Sequence, residues 1–591
     1  MKIDLSEIPD TELTGMKFIL KTKKGIHVAE SNFIRGYQST VEKNIFFYWE
    51  AGDTAEILTV HVPDKNNFYG NNEFKLEKIT PNSVIKLRKK DLHEVTSWMT
   101  VNGIPWFTDL TDSLLPKAFY SDNDYDDFKT ETLLPHRMSD SGPQIAVSDF
   151  NNDGLEDFIM TSSAGKIPQV FIQTTNGTFG QIFSPAFTMH QGSEDGGLFF
   201  LKANQDEFMD VIISSGGYQY ADGDSNYINR LYIGNGQGAF GYVKNALPKD
   251  AFNSGKIIGE DIDKDGDQDV LICGKAAPGK YPYPGTTTLL LNEKGFFIDI
   301  TEKIAPGLRN IGMVNDAEFT DVDGDKDKDL VVVGEWMDIE IFIRDGGKFN
   351  QRTEKLNMPG WWSCVTSNDI DGDGDQDLLL GNAGMNNKFK ATREKPLDVY
   401  ANDFDDNGSL DIVLAFTKDQ HQLPVRGREC SSGQMPFLLE KFPTYLSFAT
   451  SDLEQIYSKE KLDEALHYRV TEFNSGVLLN DGKGNFTFKK FPNEAQLSYI
   501  NDFLIVDVYK DGYKEIVAVG NRYGTEVETT RSDAGCGLVI SYSSQGEFYI
   551  SSTDFFAPGD AKCLAEIKLG KEGRGILVGN NNGRVQLFGV N

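Results

Sequence analysis

The sequence predicts an all-β fold, a seven-bladed β-propeller, and three observations predict it. An acidic nine-residue segment recurs six times along the 591 residues. Each copy opens onto a short apolar run. A Gly-containing hairpin pattern then follows most copies. Repeats of this kind decide the fold before any single motif does.

The nonapeptides start at Asp149 (DFNNDGLED), Asp261 (DIDKDGDQD), Asp321 (DVDGDKDKD), Asp369 (DIDGDGDQD), Asp403 (DFDDNGSLD) and Asp507 (DVYKDGYKE). Oxygen-bearing side chains at positions 1, 3, 5 and 9 suit a hard cation. Ca²⁺ takes about 6–8 oxygens at roughly 2.3–2.6 Å. Glycine at position 6 permits the left-handed backbone of a sharp turn. The candidate ligands are Asp149, Asn151, Asp153 and Asp157; Asp261, Asp263, Asp265 and Asp269; Asp321, Asp323, Asp325 and Asp329; Asp369, Asp371, Asp373 and Asp377; and Asp403, Asp405, Asn407 and Asp411. Leu155, Asp267, Asp327, Asp375 and Ser409, at position 7, would add backbone carbonyls. That makes five Ca²⁺ sites. The Asp507 loop, with Tyr509 at position 3 and Glu515 at position 9, is a candidate sixth. Lys326 replaces glycine at position 6 of the Asp321 loop, which weakens that site. An EF-hand does not fit, because apolar Ile272 and Leu380 stand where a bidentate Glu belongs.

The second half of each unit follows around a turn: PQVFIQTTNGTF, NRLYIGNGQGAF, TTTLLLNEKGFF, IEIFIRDGGKF, SGVLLNDGKGNF and GLVISYSSQGEF. Apolar alternation flanking turn residues reads as a hairpin. Strand, acidic loop, strand and hairpin make four antiparallel strands, one propeller blade. LKANQDEFMDVII, from Leu201, keeps the strands but has lost the metal pattern. The last unit lacks a fourth strand, which WFTDLT from Trp106 supplies to close the ring. Loop positions near 149, 202, 261, 321, 369, 507 and 569 give seven blades. The Asp403 loop falls in an insertion, 386–470, with one or two helices signalled by Ser451–Asp452. Counted as its own blade, Asp403 gives eight, the alternative.

Residues 106–591 resemble the FG-GAP (VCBS) repeats of integrin-like β-propellers. LLPHRMSDSGPQIAVSDFNNDGLED, GEWM, GWW, GNAGMN and QMPFLLEKFPTY are similar to a Bacteroidota family of secreted repeat proteins. Residues 25–65, with RGYQST and VPDK, resemble the ASPIC/UnbV β-domain, so 1–105 reads as that domain. The resemblance implies a secreted or cell-surface setting, with this chain a short member or a C-terminal portion.

The net charge is −31, and the six loops hold 26 of the 89 acidic residues. Nucleic acid is excluded as a partner, since the basic stripes a phosphate backbone requires are missing. No apolar run is long enough to span a membrane, and no signal peptide opens the chain. Sites filled at about 10⁻⁴–10⁻³ M calcium belong to extracellular modules, which places the protein outside the cell or on the outer-membrane surface. Five scattered cysteines form neither a zinc pattern nor a disulfide framework.

No H-E-x-x-H, G-x-S-x-G or phosphate loop is present, so no catalytic residue is assigned and binding is the expected activity. His136 is the most suggestive histidine, with a structural role the weightier reading. Loops on the face opposite the calcium sites concentrate Tyr218, Tyr220, Tyr281, Tyr283, Trp336, Trp361, Trp362, Arg522 and Tyr523. Tyr, Trp and Arg are enriched at binding hot spots, and aromatic rings also stack on sugars. For Trp361 and Trp362, packing between blades weighs equally. The expected ligand is a protein or peptide within an envelope assembly. A glycan is the alternative, and a polysaccharide-active enzyme a third reading.

Overall fold

The computed structural model describes all residues except 9–12, 33, 37–38, 41, 51, 65–66, 78, 89, 91–92, 95–104, 116, 553 and 572, with the backbone alone within 34–40, 62–75 and 93–94. Tyr37 and Gln38 of the RGYQST segment, and Lys65 of VPDK, therefore lie outside the described residues. The chain forms two compact units, 1–104 and 105–591.

In the first unit, Lys2–Glu7 pairs antiparallel with Asn44–Phe46 and parallel with Val84–Arg88. A second sheet runs His93–Glu94, Asn67–Glu77, Ala55–Asp64, Lys17–Thr22, Ile26–Glu30. Strict alternation along KFILKT buries Phe18 and Leu20 against Ile3, Leu5, Leu58 and Val60, the pattern of a sheet with one face on a core.

The second unit is a β-propeller of four-stranded antiparallel sheets. Their first strands are Ile145–Ser148, Glu194–Leu201, Ser254–Glu260, Met313–Thr320, Cys364–Asn368, Ile500–Val506 and Ala561–Leu569. These strands adjoin in chain order, and Ala561–Leu569 adjoins Ile145–Ser148. The seventh sheet is completed by Phe107–Asp109, which pairs antiparallel with Gln586–Val590, Phe107 opposite Val590.

Second strands such as Asp210–Gly216, Asp269–Gly274 and Asp377–Gly381 are buried at every residue. Sheets cover them on both sides, so they read as continuous apolar runs rather than alternating ones. The glycine that ends such a strand has a steric cause. A Cβ at Gly381 would collide with the Ile500 carbonyl at the start of the sixth sheet's first strand.

The fifth sheet is split by the insertion: Asp377–Gly381 pairs with Gly476–Asn480. The Asp403 loop lies in a separate sheet, ordered His421–Pro424, Asp411–Lys418, Leu397–Asn402, Leu466–Val470. Five short helices follow, at Arg428–Gln434, Phe437–Lys441, Tyr445–Ala449, Leu453–Tyr457 and Lys459–Glu464. One or two helices were expected from the spacing; Pro436, Pro443 and the positive φ of Ser458 interrupt the run. Asp452 caps its helix with a capping box, matching the start signal in the sequence. Met435, Leu438, Phe448, Leu453 and Ile456 pack these helices on Tyr400, Phe404, Val413 and Ala415.

Candidate metal loops and a central polar pocket

Each acidic loop is wound by its own carboxylates. The position-1 side chain accepts from backbone N–H groups at positions 5 and 6 in the Asp149, Asp261, Asp403 and Asp507 loops. In the Asp321 and Asp369 loops it accepts from positions 4 and 6. The position-5 side chain accepts from the position-7 N–H, as in Asp265 from Asp267. This winding demands left-handed backbone twice. Position 6 carries φ of 85–99° at Gly154, Gly266, Gly374, Gly408 and Gly512, and 76° at Lys326. Position 4 is left-handed too, at Asn152, Lys264, Gly324, Gly372, Asp406 and Lys510. Glycine in the sequence pattern predicts that conformation at position 6 alone.

Carboxylate oxygens converge, within 4.8 Å of one another, in four loops: Asp261, Asp263 and Asp265; Asp321, Asp323 and Asp325; Asp369, Asp371 and Asp377; Asp403, Asp405 and Asp411. Three hard oxygens at that spacing fit a calcium-sized ion. Burial and the neighbouring carboxylates, Asp265 first among them, push Asp267 up to about 7, a crowding that a divalent cation would relieve. The Asp149 loop follows the same course with Asn151 at position 3.

Position 9 does a second job. Asp269 accepts from the N–H of Ile262 and of Asn292. Asp329 accepts from Val322 and Arg344, and Asp377 from Ile370 and Asn480. The carboxylate thus ties its own loop to the third strand of its sheet. Asp210 makes the same two bonds, to Ala203 and Gly234, in the copy that has lost the metal pattern. Glu515 keeps one of them, from Val508.

At the opposite ends of the first strands lies a polar pocket of about 110 Å³. It continues into a deeper cavity of about 60 Å³. The first strands, or the residues leading into them, supply Gln144, Gly196, Asn253, Asn315, Ser363, Asn501 and Lys562, one from each sheet. Several of these side chains also bind adjacent sheets. Asn315 donates to the Trp362 carbonyl (2.8 Å) and Asn501 to the Ala561 carbonyl (2.8 Å). Their amide nitrogens are thereby engaged.

Glu335 is 4 % exposed at the pocket wall. Tyr281 Oη donates to it at 2.6 Å, His136 Nε2 lies at 3.0 Å, and Arg522 Nη1 at 3.9 Å. Burial pushes this carboxyl up, but His136, Arg522 and Tyr281 outweigh it and hold the group below its ordinary value. Burial, then Arg522, holds His136 below its own ordinary value against the pull of Glu335. Trp336, at φ 61°, turns its indole N–H onto Tyr281 Oη. Such a backbone, costly for a bulky residue, occurs where surrounding structure enforces it.

Lys275 Nζ donates to Ser141 Oγ at 2.9 Å, and among the described residues no carboxylate lies within 4 Å of it. Burial, then the nearby Arg522 and Lys562, lowers its ammonium to about 8. Lys562 is paired with Asp560 at 2.9 Å. Arg522 stacks over Tyr499 at 4.4 Å, and its Nη1 donates no hydrogen bond.

Most of the expected aromatic platform is interior. Trp361 is buried between Trp336, His136, Phe389 and Phe473, with ring centroids 5.3–5.5 Å away. Gly360–Trp361 adds a short strand to the extended second strand Asp329–Met337, Trp361 opposite Glu335, and that pairing draws the ring inward. Trp362 is fully buried and donates to the Met358 carbonyl. Tyr218, Tyr281 and Trp336 are buried as well. Tyr220 donates to the Gly192 carbonyl, and Tyr523 to that of Pro558 beneath Arg531. Tyr283 is exposed. Arg522, of the nine residues, lines the pocket. Sequence reasoning passed over Lys275, Lys562, Asn315 and Asn501; the ND pair opening two first strands (VNDAEF, INDFLI) was the available signal.

Residues 321–380 match the FG-GAP-like repeat family. That segment, within the unit of four-stranded sheets, is similar to an FG-GAP-like repeat. Curated proteins yield no match. Among solved structures, the chain is similar to an Agrocybe aegerita lectin specific for non-reducing terminal N-acetylglucosamine. Identity is 14 %, over 70 % of this chain and 81 % of that one, with a TM-score of 0.36. It is also similar to the V. cholerae biofilm matrix protein Bap1 (12 % identity, 80 % and 90 % covered, TM-score 0.28) and to YCF48 from Cyanidioschyzon merolae (9 %, 77 % and 97 %, 0.35).

Proposed function

We propose that the protein is a calcium-braced, seven-bladed propeller acting outside the cytoplasm by binding rather than catalysis. Its ligand is the polar end group of a glycan, taken in the central pocket on the face away from the acidic loops. One observation carries this reading: all seven sheets contribute a residue, in or just before the first strand, to the pocket and its deeper cavity, which are walled mainly by amides, hydroxyls and charges. Polar walls of that kind orient a hydroxyl-rich ligand by hydrogen bonding. Peptide recognition, expected from the aromatic loops, loses support because five of those rings are packed inside.

Calcium at the Asp261, Asp321, Asp369 and Asp403 loops, and at the Asp149 loop with Asn151, would neutralise crowded carboxylates and hold first to second strands. Calorimetry with and without chelator tests the brace, with a clear fall in melting temperature expected on chelation. A glycan array tests the ligand. Binding lost in Asn315→Ala and Asn501→Ala variants that melt normally supports the pocket; binding untouched by both overturns it.

A further inference from the structure

Cations and carboxylates around the central pocket are unevenly matched. Arg137, Lys275, Arg522 and Lys562 line it, against Asp140 and Glu335. This cationic excess stands inside a chain whose net charge is −31. Four of the charges are engaged: Lys562 with Asp560, Glu335 with His136, Tyr281 and, at 3.9 Å, Arg522, and Asp140 with the Asn581 amide. Donor capacity is left over on Lys275 and Arg522. Lys275 bonds a serine hydroxyl alone, and Arg522 Nη1 donates nothing. Both side chains are half-buried at the pocket, so an anion there would meet a cation with no carboxylate within 4 Å among the described residues and a guanidinium N–H that makes no hydrogen bond. Burial, then Arg522 and Lys562, lowers the Lys275 ammonium against the pull of Glu194 and Glu335.

The rest of the lining says what the anion is attached to. Asn253, Asn315 and Asn501 spend their amide nitrogens on the backbone carbonyls of Ala276, Trp362 and Ala561. Their carbonyl oxygens remain as acceptors, and Asn253 Oδ1 is buried with no partner. Acceptors beside a cation pair call for a ligand carrying hydroxyl donors beside an anionic group. The apolar lining is small, Ala276, Met138 and Met313, which gives little to the side chain of a peptide's last residue.

We propose that the central pocket binds a sugar acid, a uronate, with its carboxylate held between Lys275 and Arg522 and its hydroxyls donating to Asn253, Asn315 and Asn501. This rests on the glycan reading above and deepens it. About 110 Å³, open to the deeper cavity, admits one sugar ring at a chain end rather than an internal stretch of polymer.

The test is isothermal calorimetry of the calcium-loaded full chain with glucuronate, galacturonate, methyl glucuronate ester, glucose, acetyl-Gly-Ala with a free carboxylate, and inorganic sulfate. Uronate binding at least tenfold tighter than that of the ester and of glucose is expected. Lys275→Met should lose that advantage while keeping its melting temperature, and Lys275→Arg should retain it within severalfold. If Lys275→Met fails to fold, Arg522→Lys, which keeps the charge but loses the fork, should still weaken uronate severalfold. Glucose binding as tightly as uronate overturns the acid assignment and leaves the glycan reading standing. Equal or tighter binding of the peptide acid or of sulfate overturns the sugar assignment, and uronate binding unchanged in Lys275→Met overturns the site. No saturable binding of any probe overturns both readings.

Discussion

At position 6 of its loop, Lys326 holds φ 76° where the five other copies place glycine. A side chain in that region costs about 1–2 kcal/mol, part of which a glycine gives back through the freer unfolded chain. Lys326→Gly should therefore stabilise the calcium-loaded protein by about 0.5–1 kcal/mol in chemical denaturation; a destabilised variant would contradict the strain. Position 9 can be separated from metal binding by using the copy without a metal pattern. Asp210 is fully buried and satisfies two backbone N–H groups. Stranding a buried donor costs about 1–3 kcal/mol. Asp210→Ala should lower stability by at least about 2 kcal/mol, equally with and without calcium. Asp263→Asn, at an exposed position, should instead reduce calcium affinity and leave the metal-free melting temperature alone.

Among elements, the acidic loops carry a pH signature. Burial first, then crowding, raises Asp269, Asp329, Asp377 and Asp411 to about 6, although backbone N–H bonds oppose it. The unfolded value is about 3.9. A folded state with raised carboxyls keeps its protons longer, so this contribution to metal-free stability is present below about pH 4 and is lost as pH rises through about 6. Calcium needs the carboxylates deprotonated. Scanning calorimetry should show a larger calcium-induced rise in melting temperature at pH 7.5 than at pH 5; the reverse order would rule out these groups as ligands. The insertion has a different anchor. Trp361 joins the ring to Phe389 and Phe473 at the insertion's two roots, and Arg426 pairs with Glu526 at 2.7 Å. Trp361→Ala should cost about 3–5 kcal/mol and raise hydrogen exchange across 386–470, whereas Trp361→Phe should lose less.

For the whole molecule, what was legible in the sequence follows from spacing. The loops announced themselves because nine consecutive residues carry the signal each time, from Asp149 to Asp507. The hairpins were legible for the same reason, and the strand from Phe107 could be paired with the chain's last strand by its likeness to other fourth strands. The pocket was not legible. Gln144, Asn253, Asn315, Ser363, Asn501 and Lys562 are single polar residues tens of positions apart, alike only in standing at the start of a first strand. Trp361 and Trp362 misled for the opposite reason: a conspicuous pair in a loop segment is drawn inside by the pairing of Trp361 with Glu335, which residue type does not reveal. Stability of the ring as one body can be tested at its seam. Phe107 is buried against Phe555. Phe107→Ala should cost about 3 kcal/mol or more and lower a single cooperative transition for 105–591, rather than splitting it.

That seam also sets how the propeller answers to pulling. Phe107 faces Val590 and Asp109 faces Phe588, so residues 105 and 591 leave from the same end of the strand pair. A load applied between them peels hydrogen-bonded pairs one after another instead of shearing them together. Held by those two points, the ring is a zipper with its tab outside, its last strand pair parting bond by bond.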